Sequence, residues 1–212
     1  METKSYRNIY GNMNVENVGA SIAMIVDETK PNSNLLLSIE SNEDNVINYL
    51  KELKLKPKQH FQIIPEFSVA RDILYVVGAS GSGTSYFTRQ FADQYRKLYA
   101  KRKIFLISSL TEDSSIDKIK DLKRIKLTPE FLADDIQAED FKDSLVIFDD
   151  CEALMDKHMK VKVQGILNQL LTIGRHHNIS VCELRHNATA GHETKLMLNE
   201  ANSITMFPSG LG

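Results

Sequence analysis

Apolar runs of strand length alternate with amphipathic stretches along residues 72–212. Five runs predict buried strands, at residues 73–77, 104–107, 145–148, 179–184 and 204–207, and a shorter run predicts another at 125–127. Between them, apolar side chains recur every three or four residues, a spacing typical of helices that cover a core. This alternation predicts an α/β core with a parallel sheet and helices on both faces.

The first third of the chain has a different pattern. Residues 1–17 are polar and asparagine-rich, which predicts a flexible tail. Residues 18–71 contain strand-like runs at 18–26, 35–39 and 61–64 and a helix-like pattern at 45–53. We expect a small α+β extension of unknown role. At the other end the chain stops just after its last predicted strand, and C-terminal truncation is one interpretation of that ending.

A segment rich in glycine and serine separates the strand at 73–77 from the helix after it. The spacing Gly78-x-x-x-x-Gly83-x-Ser85 fits the phosphate-binding P-loop pattern, except that Thr84 stands where lysine is expected. Glycines let successive backbone N–H groups turn toward a phosphate, and the helix N-terminus adds partial positive charge. The alternative is a flexible connection without a ligand. The predicted nucleotide-binding residues are Gly78, Ala79, Ser80, Gly81, Ser82, Gly83, Thr84 and Ser85.

Two adjacent carboxylates, Asp149 and Asp150, follow the apolar run at 145–148. In P-loop sites a magnesium ion bridges the phosphates of ATP and is held by a loop hydroxyl and a carboxylate at a neighbouring strand end. We therefore assign Ser85 and Asp149 to Mg²⁺, and Asp150 to polarising the attacking water. The alternative for the acid pair is a solvated strand end.

The overall composition excludes several classes of protein. A formal net charge of −2 over 212 residues argues against a wholly basic nucleic-acid coat protein. No apolar run reaches the length of a membrane span, and residues 1–17 lack the apolar centre of a signal peptide. The two cysteines, Cys151 and Cys182, form no ligand-like pair and indicate a reducing compartment. We expect an intracellular protein without a membrane partner.

Residues 72–208 resemble the DNA-packaging ATPases of large nucleocytoplasmic DNA viruses, a branch of the FtsK–HerA group of DNA translocases. The resemblance rests on the two motifs above and on the segments 108–110, 174–181, 199–201 and 206–208. It implies a RecA-like P-loop core in which the strand at 179–184 lies between the strand at 73–77 and the one that precedes Asp149. It also implies ATP and Mg²⁺ as ligands, a homo-oligomeric ring, double-stranded DNA and a viral capsid as partners, and a location in infected host cytoplasm or in the virion.

The resemblance singles out one cation and shows two departures from the family pattern. Arg175 is a candidate arginine finger toward a neighbouring subunit, and its alternative role is a favourable charge at a helix C-terminus. After the strand at 179–184, family members carry small polar residues where this chain has Leu184-Arg185-His186. Glu183 also falls within a strand that is expected to be central, where an unpaired carboxylate is costly.

Two functions from different classes fit these residues. The first is an ATP-driven motor that moves double-stranded DNA, and the retained Ser85, Asp149 and Asp150 support it. The second is a nucleotide-binding subunit with a structural or regulatory role and no hydrolysis, and Thr84 supports it. A small-molecule kinase fits less well, because the sequence shows no arginine-rich lid.

The residue at position 84 decides how much activity to expect. Threonine lacks the charge that lysine brings to the phosphates, and losing one such electrostatic contact costs about 10²–10³ in rate. We therefore expect weak nucleotide binding and slow hydrolysis, both restored by Thr84→Lys. Robust turnover without that change would indicate a replacement cation, with Arg89 and Arg185 as the first candidates.

Overall fold

The computed structural model describes residues 20–30, 35–39, 55–65 and 71–207. Its contacts divide the chain into two compact units, Met1–Ser68 and Val69–Gly212. The predicted tail at 1–17 and the predicted helix at 45–53 lie outside the described residues. The two units are described separately below.

The first unit contains a three-stranded antiparallel sheet. Its strands are β1 (Ala20–Asp27), β2 (Leu35–Ile39) and β3 (Gln59–Ile63), in the order β2-β1-β3. The central strand β1 buries Ala23, Met24 and Ile25. The three strands predicted from the sequence are present, with ends that differ by a few residues for β1 and β3.

The second unit is built on a six-stranded sheet in which every strand pairs in parallel with its neighbours, in the order β6-β5-β7-β8-β4-β9. The fold prediction is confirmed, including the position of β8 between β4 and β7. The strands are β4 (Ile73–Gly78), β5 (Lys103–Ser108), β6 (Leu122–Ile125), β7 (Ser144–Asp149), β8 (Ile179–Arg185) and β9 (Ser203–Phe207).

Helices cover both faces of this sheet. The α-helices are α1 (Thr84–Leu98), α2 (Pro129–Ala133), α3 (Lys157–Ile173) and α4 (His192–Glu200). Thr88 of α1 contacts Cys182 of β8, whereas Gln164 of α3 and Glu193 of α4 contact Arg185 of the same strand. Cys182 and Arg185 are three positions apart and therefore point to opposite faces, so α1 lies opposite α3 and α4. Short 3₁₀ helices span Ile116–Lys118, Ala138–Phe141, Cys151–Ala153 and Gly174–His177.

The strand predicted at 125–127 is the one clear displacement, because β6 covers Leu122–Ile125 instead. Lys123 is exposed and Arg124 half-buried, so the apolar-run criterion missed a strand at the sheet edge. The predicted start of the next helix is correct. Thr128 precedes α2 and Pro129 is its first residue, although the Thr128 side chain accepts no capping hydrogen bond.

The buried carboxylate in β8 has a partner. Glu183 and Arg185 lie two positions apart on one face, only 2% and 5% exposed, and Arg185 Nε lies 2.7 Å from Glu183 Oε1. Arg185 also lies 3.5 Å from carboxylate oxygens of both Glu152 and Glu193. Burial raises the pKa of Glu183, and the arginine opposes that rise. The ion pair therefore makes a charged residue tolerable in a central strand.

We predict that Arg185→Leu destabilises the chain severely. The change leaves Glu183 buried without a cation, which costs about 3–5 kcal/mol in the free energy of unfolding. Arg89→Leu is the matched control, because Arg89 pairs with Asp93 across one turn of α1 at 3.8 Å and both are partly exposed. The control should cost about 0.3–0.5 kcal/mol. Equal losses in denaturant unfolding would show that the buried pair does not contribute as described.

Candidate functional site

The candidate site lies where the parallel strands β4, β5, β7 and β8 end. Parallel strands place their carboxyl ends at one edge of the sheet, which is where α/β proteins bind ligands. Ser108 at the end of β5 pairs in register with Asp149 at the end of β7, and Asp149 pairs with Leu184 of β8. The segment between β4 and α1 begins at the same edge. We call that segment, Gly78–Ser85, the glycine loop.

The glycine loop has a backbone that requires its glycines. Gly81 and Gly83 have φ angles of 77° and 101°, in the left-handed region that side chains disfavour. Gly78 is buried, and a Cβ there would clash with Ser82 Oγ and lie 2.8 Å from Phe207 Cβ. The Ser82 N–H donates to the Ala79 carbonyl at 3.0 Å, closing a turn. The spacing read from the sequence thus corresponds to one tightly folded loop.

The donors of the loop fit an anionic ligand. Ala79, Ser80 and Gly81 are exposed, so their backbone is open to solvent. The Ser82 hydroxyl is buried and has no hydrogen-bond partner among the described residues. The loop leads into the N-terminus of α1, a 15-residue helix with no acidic residue in its first turn. The first N–H groups of a helix have no partner within the helix, and together with the helix dipole they favour a phosphate at such a position.

Asp149 lies at the end of β7 with only 3% of its surface exposed. The hydroxyl of Ser108 donates a hydrogen bond to its Oδ2 at 3.0 Å. Burial, and then the neighbouring charge of Asp150, raise the pKa of Asp149 to about 6. A buried carboxylate that is costly to ionise is well suited to gain from a cation placed beside it.

Asp150 adopts a left-handed backbone conformation, with φ 50°, and its side chain turns toward β8. Asp150 Oδ1 lies 3.0 Å from Nε2 of His186, and Nδ1 of the same imidazole lies 3.3 Å from the carbonyl oxygen of Gly78. The backbone N–H of His186 donates to Glu152 Oε1 at 2.8 Å. His186 therefore connects the start of the glycine loop to Asp150.

In the sequence, His186 stands out only as a departure from the pattern of the ATPases that the chain resembles, and no role was predicted for it. Its position directly after β8 was the available signal, because β8 was expected beside both the glycine loop strand and the strand that ends at Asp149. What the sequence could not supply is the direction in which the imidazole points.

The structure does not bring Arg175 to this edge of the sheet. Arg175 is exposed in the 3₁₀ helix Gly174–His177, which leads into the first residue of β8, so it lies at the opposite edge from the glycine loop. The last carbonyls of α3 are taken by another residue, since Arg71 Nη2 donates to Leu170 and Leu171 at 2.7 and 2.9 Å. Within a single chain, Arg175 cannot act on the site.

The other two cations considered from the sequence are engaged elsewhere. Arg89 pairs with Asp93 on α1, and Arg185 lies within the carboxylate cluster on the α3–α4 face. Glu152 and Glu193 add to that cluster around Arg185. Neither arginine replaces the missing lysine in this structure.

The donor set fits Mg²⁺ only together with other oxygen ligands. Among the described residues, no group of three His, Cys, Asp or Glu side chains could hold a metal ion. The two residues assigned to Mg²⁺ from the sequence, Ser85 and Asp149, carry oxygen atoms of the kind that Mg²⁺ prefers, and such sites usually take the remaining ligands from substrate phosphates and water. A site of this composition suits a nucleotide-bound ion.

The described helices include none that is long and apolar enough to cross a membrane.

Comparison with known proteins identifies a viral relative and a weak likeness to a solved structure. No family model matches the chain. Over 141 residues it is 35% identical to "Uncharacterized protein V3" of Sputnik virophage, an alignment covering 65% of this chain and 56% of that protein. The chain thus spans little more than half the length of this viral relative. The solved structure of Thermomonospora curvata EccC (ATPases 2 and 3), in complex with a signal sequence peptide, aligns with 84% of this chain and 32% of its own at 13% identity, with a TM-score of 0.40.

We predict that Asp149→Asn stabilises the ligand-free protein near pH 7.5. The pKa of Asp149 is raised from 3.8 to about 6, so stability is highest when the carboxyl is protonated and falls as the pH rises between about 4 and 6. Asparagine avoids that loss, which a shift of this size puts at about 1–3 kcal/mol. Unfolding by denaturant in EDTA, from pH 4 to 8, measures the effect.

The matched control for that experiment is Asp93→Asn, because Asp93 is partly exposed on α1. The advantage of Asp149→Asn should shrink as the pH falls toward 4, while the control should change stability by less than about 0.5 kcal/mol throughout. The same pH dependence in Asp149→Asn and the unmodified chain would contradict the account of Asp149.

Proposed function

We propose that this chain is a P-loop ATPase subunit that binds ATP and Mg²⁺ at the glycine loop and moves double-stranded DNA as part of a homo-oligomeric ring. The observation that carries the proposal is the meeting of two features at one sheet edge. A glycine loop with an unpartnered buried hydroxyl opens into the N-terminus of α1, and a buried carboxylate, Asp149, lies at the end of the strand beyond β8. Neither feature alone is specific for nucleotides.

This arrangement supports the following roles. Backbone N–H groups of the glycine loop would hold the phosphates, Ser85 and Asp149 would hold Mg²⁺, and Asp150 would polarise the attacking water. When bound, Mg²⁺ neutralises charge on the phosphate oxygens. The raised pKa of Asp149 supports its role, because a bound cation offsets the unfavourable charge of the buried carboxylate.

The partners belong to the same proposal. The similarity to a virophage protein supports a viral setting, in which the DNA would enter a capsid and the protein would occupy the infected host cytoplasm or the virion. Arg175 is part of this proposal as a finger that acts between subunits, because its place at the opposite end of the sheet separates it from the glycine loop of its own chain. In that role it would stabilise charge on the transferred phosphate as an arginine finger.

A second function is favoured by Thr84, which brings no charge to the phosphates. In this alternative the chain binds nucleotide without hydrolysing it and acts as a structural or regulatory subunit. Turnover of Mg²⁺-ATP by the purified chain, with and without duplex DNA, separates the two functions. Turnover that DNA stimulates supports the motor, whereas saturable ATP binding without turnover supports the regulatory subunit.

We predict that Asp149→Asn weakens ATP binding in Mg²⁺ by about tenfold or more and changes binding in EDTA by less than about threefold. The reason is that the carboxylate acts on the ion rather than on the nucleotide, and loss of one charged contact costs about 1.5–3 kcal/mol. Titration of a fluorescent ATP analogue under both conditions measures the difference. An equal loss in Mg²⁺ and EDTA would make Asp149 a structural residue only.

We predict that mixed oligomers reveal a role of Arg175 across subunits. Arg175→Ala and Asp150→Asn subunits, each inactive alone on a Thr84→Lys background, should regain turnover when mixed, because some boundaries then combine an intact Asp150 with an intact Arg175. ATPase rates are compared with mixing verified by mass photometry. Mixed oligomers no more active than either parent would leave Arg175 without a catalytic role.

A further inference from the structure

His186 presents both of its ring nitrogens to oxygen acceptors. Nε2 lies 3.0 Å from Asp150 Oδ1 and Nδ1 lies 3.3 Å from the Gly78 carbonyl oxygen. A carbonyl oxygen can only accept a hydrogen bond, so Nδ1 is the donor when that contact forms. The contact of Nε2 with Asp150 is an ion pair when the ring is protonated. The side chain therefore places an ionisable nitrogen, with a carboxylate partner, beside the first residue of the glycine loop.

This imidazole and the side chain of residue 84 lie beside the same glycine. The methyl group of Thr84 is 2.9 Å from the point that a Cβ on Gly78 would occupy, so the side chain at position 84 packs against Gly78. A lysine at position 84 would leave the helix from the same Cβ. His186 reaches Gly78 from β8 instead, and 41% of its side chain is exposed, so a solute can approach the ring.

Three arginines of the second unit pair with other groups. Arg89 pairs with Asp93, and Arg185 pairs with Glu183 on the opposite face of the sheet from α1. Arg124 belongs to the β6 edge, where it donates to Leu110 O at 2.7 Å and Asp117 Oδ1 at 2.6 Å. His186, by contrast, contacts the glycine loop itself, at the Gly78 carbonyl oxygen.

We propose that His186 supplies the cationic contact to the terminal phosphates that lysine supplies in the P-loop pattern. This inference rests on the proposed nucleotide binding. Asp150 and the Gly78 carbonyl orient the ring, and the hydrogen bond from the His186 backbone N–H to Glu152 fixes the segment that carries it. A phosphate oxygen at the loop competes with the Asp150 carboxylate for the Nε2 hydrogen, because both are anionic acceptors.

The test compares the affinity of a fluorescent ATP analogue, in EDTA, across variants at positions 186 and 84. His186→Gln keeps a hydrogen-bond donor and removes the charge, and we expect about ten- to hundredfold weaker binding, the range for a lost charge-assisted hydrogen bond. His186→Lys keeps the charge and should remain within about fivefold of the unmodified chain. Adding Thr84→Lys to His186→Gln should restore binding, because the lysine returns a positive charge to the glycine loop.

The matched control is His158→Gln, since His158 is exposed at the start of α3 and contributes no side chain to the site. It should leave the affinity unchanged. Denaturant midpoints confirm that each variant is folded, and the exposed position of His186 makes the substitutions tolerable.

Each outcome distinguishes this inference from the proposed function. Binding by the unmodified chain with no loss in His186→Gln overturns the role of His186 and leaves nucleotide binding intact. Equal losses in His186→Gln and His186→Lys, or a loss that Thr84→Lys does not restore, also overturn it, because a charge would not be the cause. Failure of both the unmodified chain and Thr84→Lys to bind ATP overturns the proposed function itself.

Discussion

The candidate site exists because β4, β5, β7 and β8 run in parallel and end together. Parallel pairing in register places Ser108 beside Asp149 and brings the residues after β8 between the glycine loop and Asp150. Residues that are separated by about a hundred positions in sequence thus meet through backbone geometry alone. An alternative strand order would keep every motif in the sequence and separate them in space. The strand order of the sheet therefore determines whether these residues can form one site.

The same sheet buries two carboxylates, and burying their charge costs free energy that a wholly apolar core would not lose. Asp149 and Glu183 are both at least 97% buried in adjacent central strands, and burial raises the pKa of each. The two are handled differently. Glu183 has a permanent cation in Arg185, whereas the side-chain partner of Asp149 among the described residues is the neutral hydroxyl of Ser108. A pair that is complete within the chain contributes to structure. A carboxylate left with an uncharged partner at a sheet edge is the one that can gain from a ligand cation.

The sequence predicted the fold well because the buried strands are continuous apolar runs. Residues 104–107 and 145–148, for example, both lie inside observed strands. It failed at β6, where Lys123 and Arg124 interrupt the run, because an edge strand buries too little to need an apolar sequence. The pairing of Glu183 with Arg185 was available from i and i+2 alternation in a strand. The contact of His186 with Gly78 was not, because it joins residues 108 positions apart through a side-chain direction that only tertiary structure fixes.

The position of a phosphate-binding cation decides which helices respond when a phosphate binds. A lysine at position 84 would belong to α1 and would tie the phosphates to the helix that follows the loop. His186 directly follows β8 and comes one residue after Arg185, which contacts Glu193 of α4. A phosphate that draws His186 away from Asp150 would therefore displace the end of the strand that contacts α3 and α4. On the proposed mechanism, the phosphate contact comes from His186 and not from a lysine at position 84. The response to nucleotide is therefore expected on the α3–α4 face of the sheet and not on the α1 face. In a His186→Gln chain, adding Thr84→Lys should then recover phosphate affinity without recovering that response, which hydrogen exchange in α4 with and without ATP would measure.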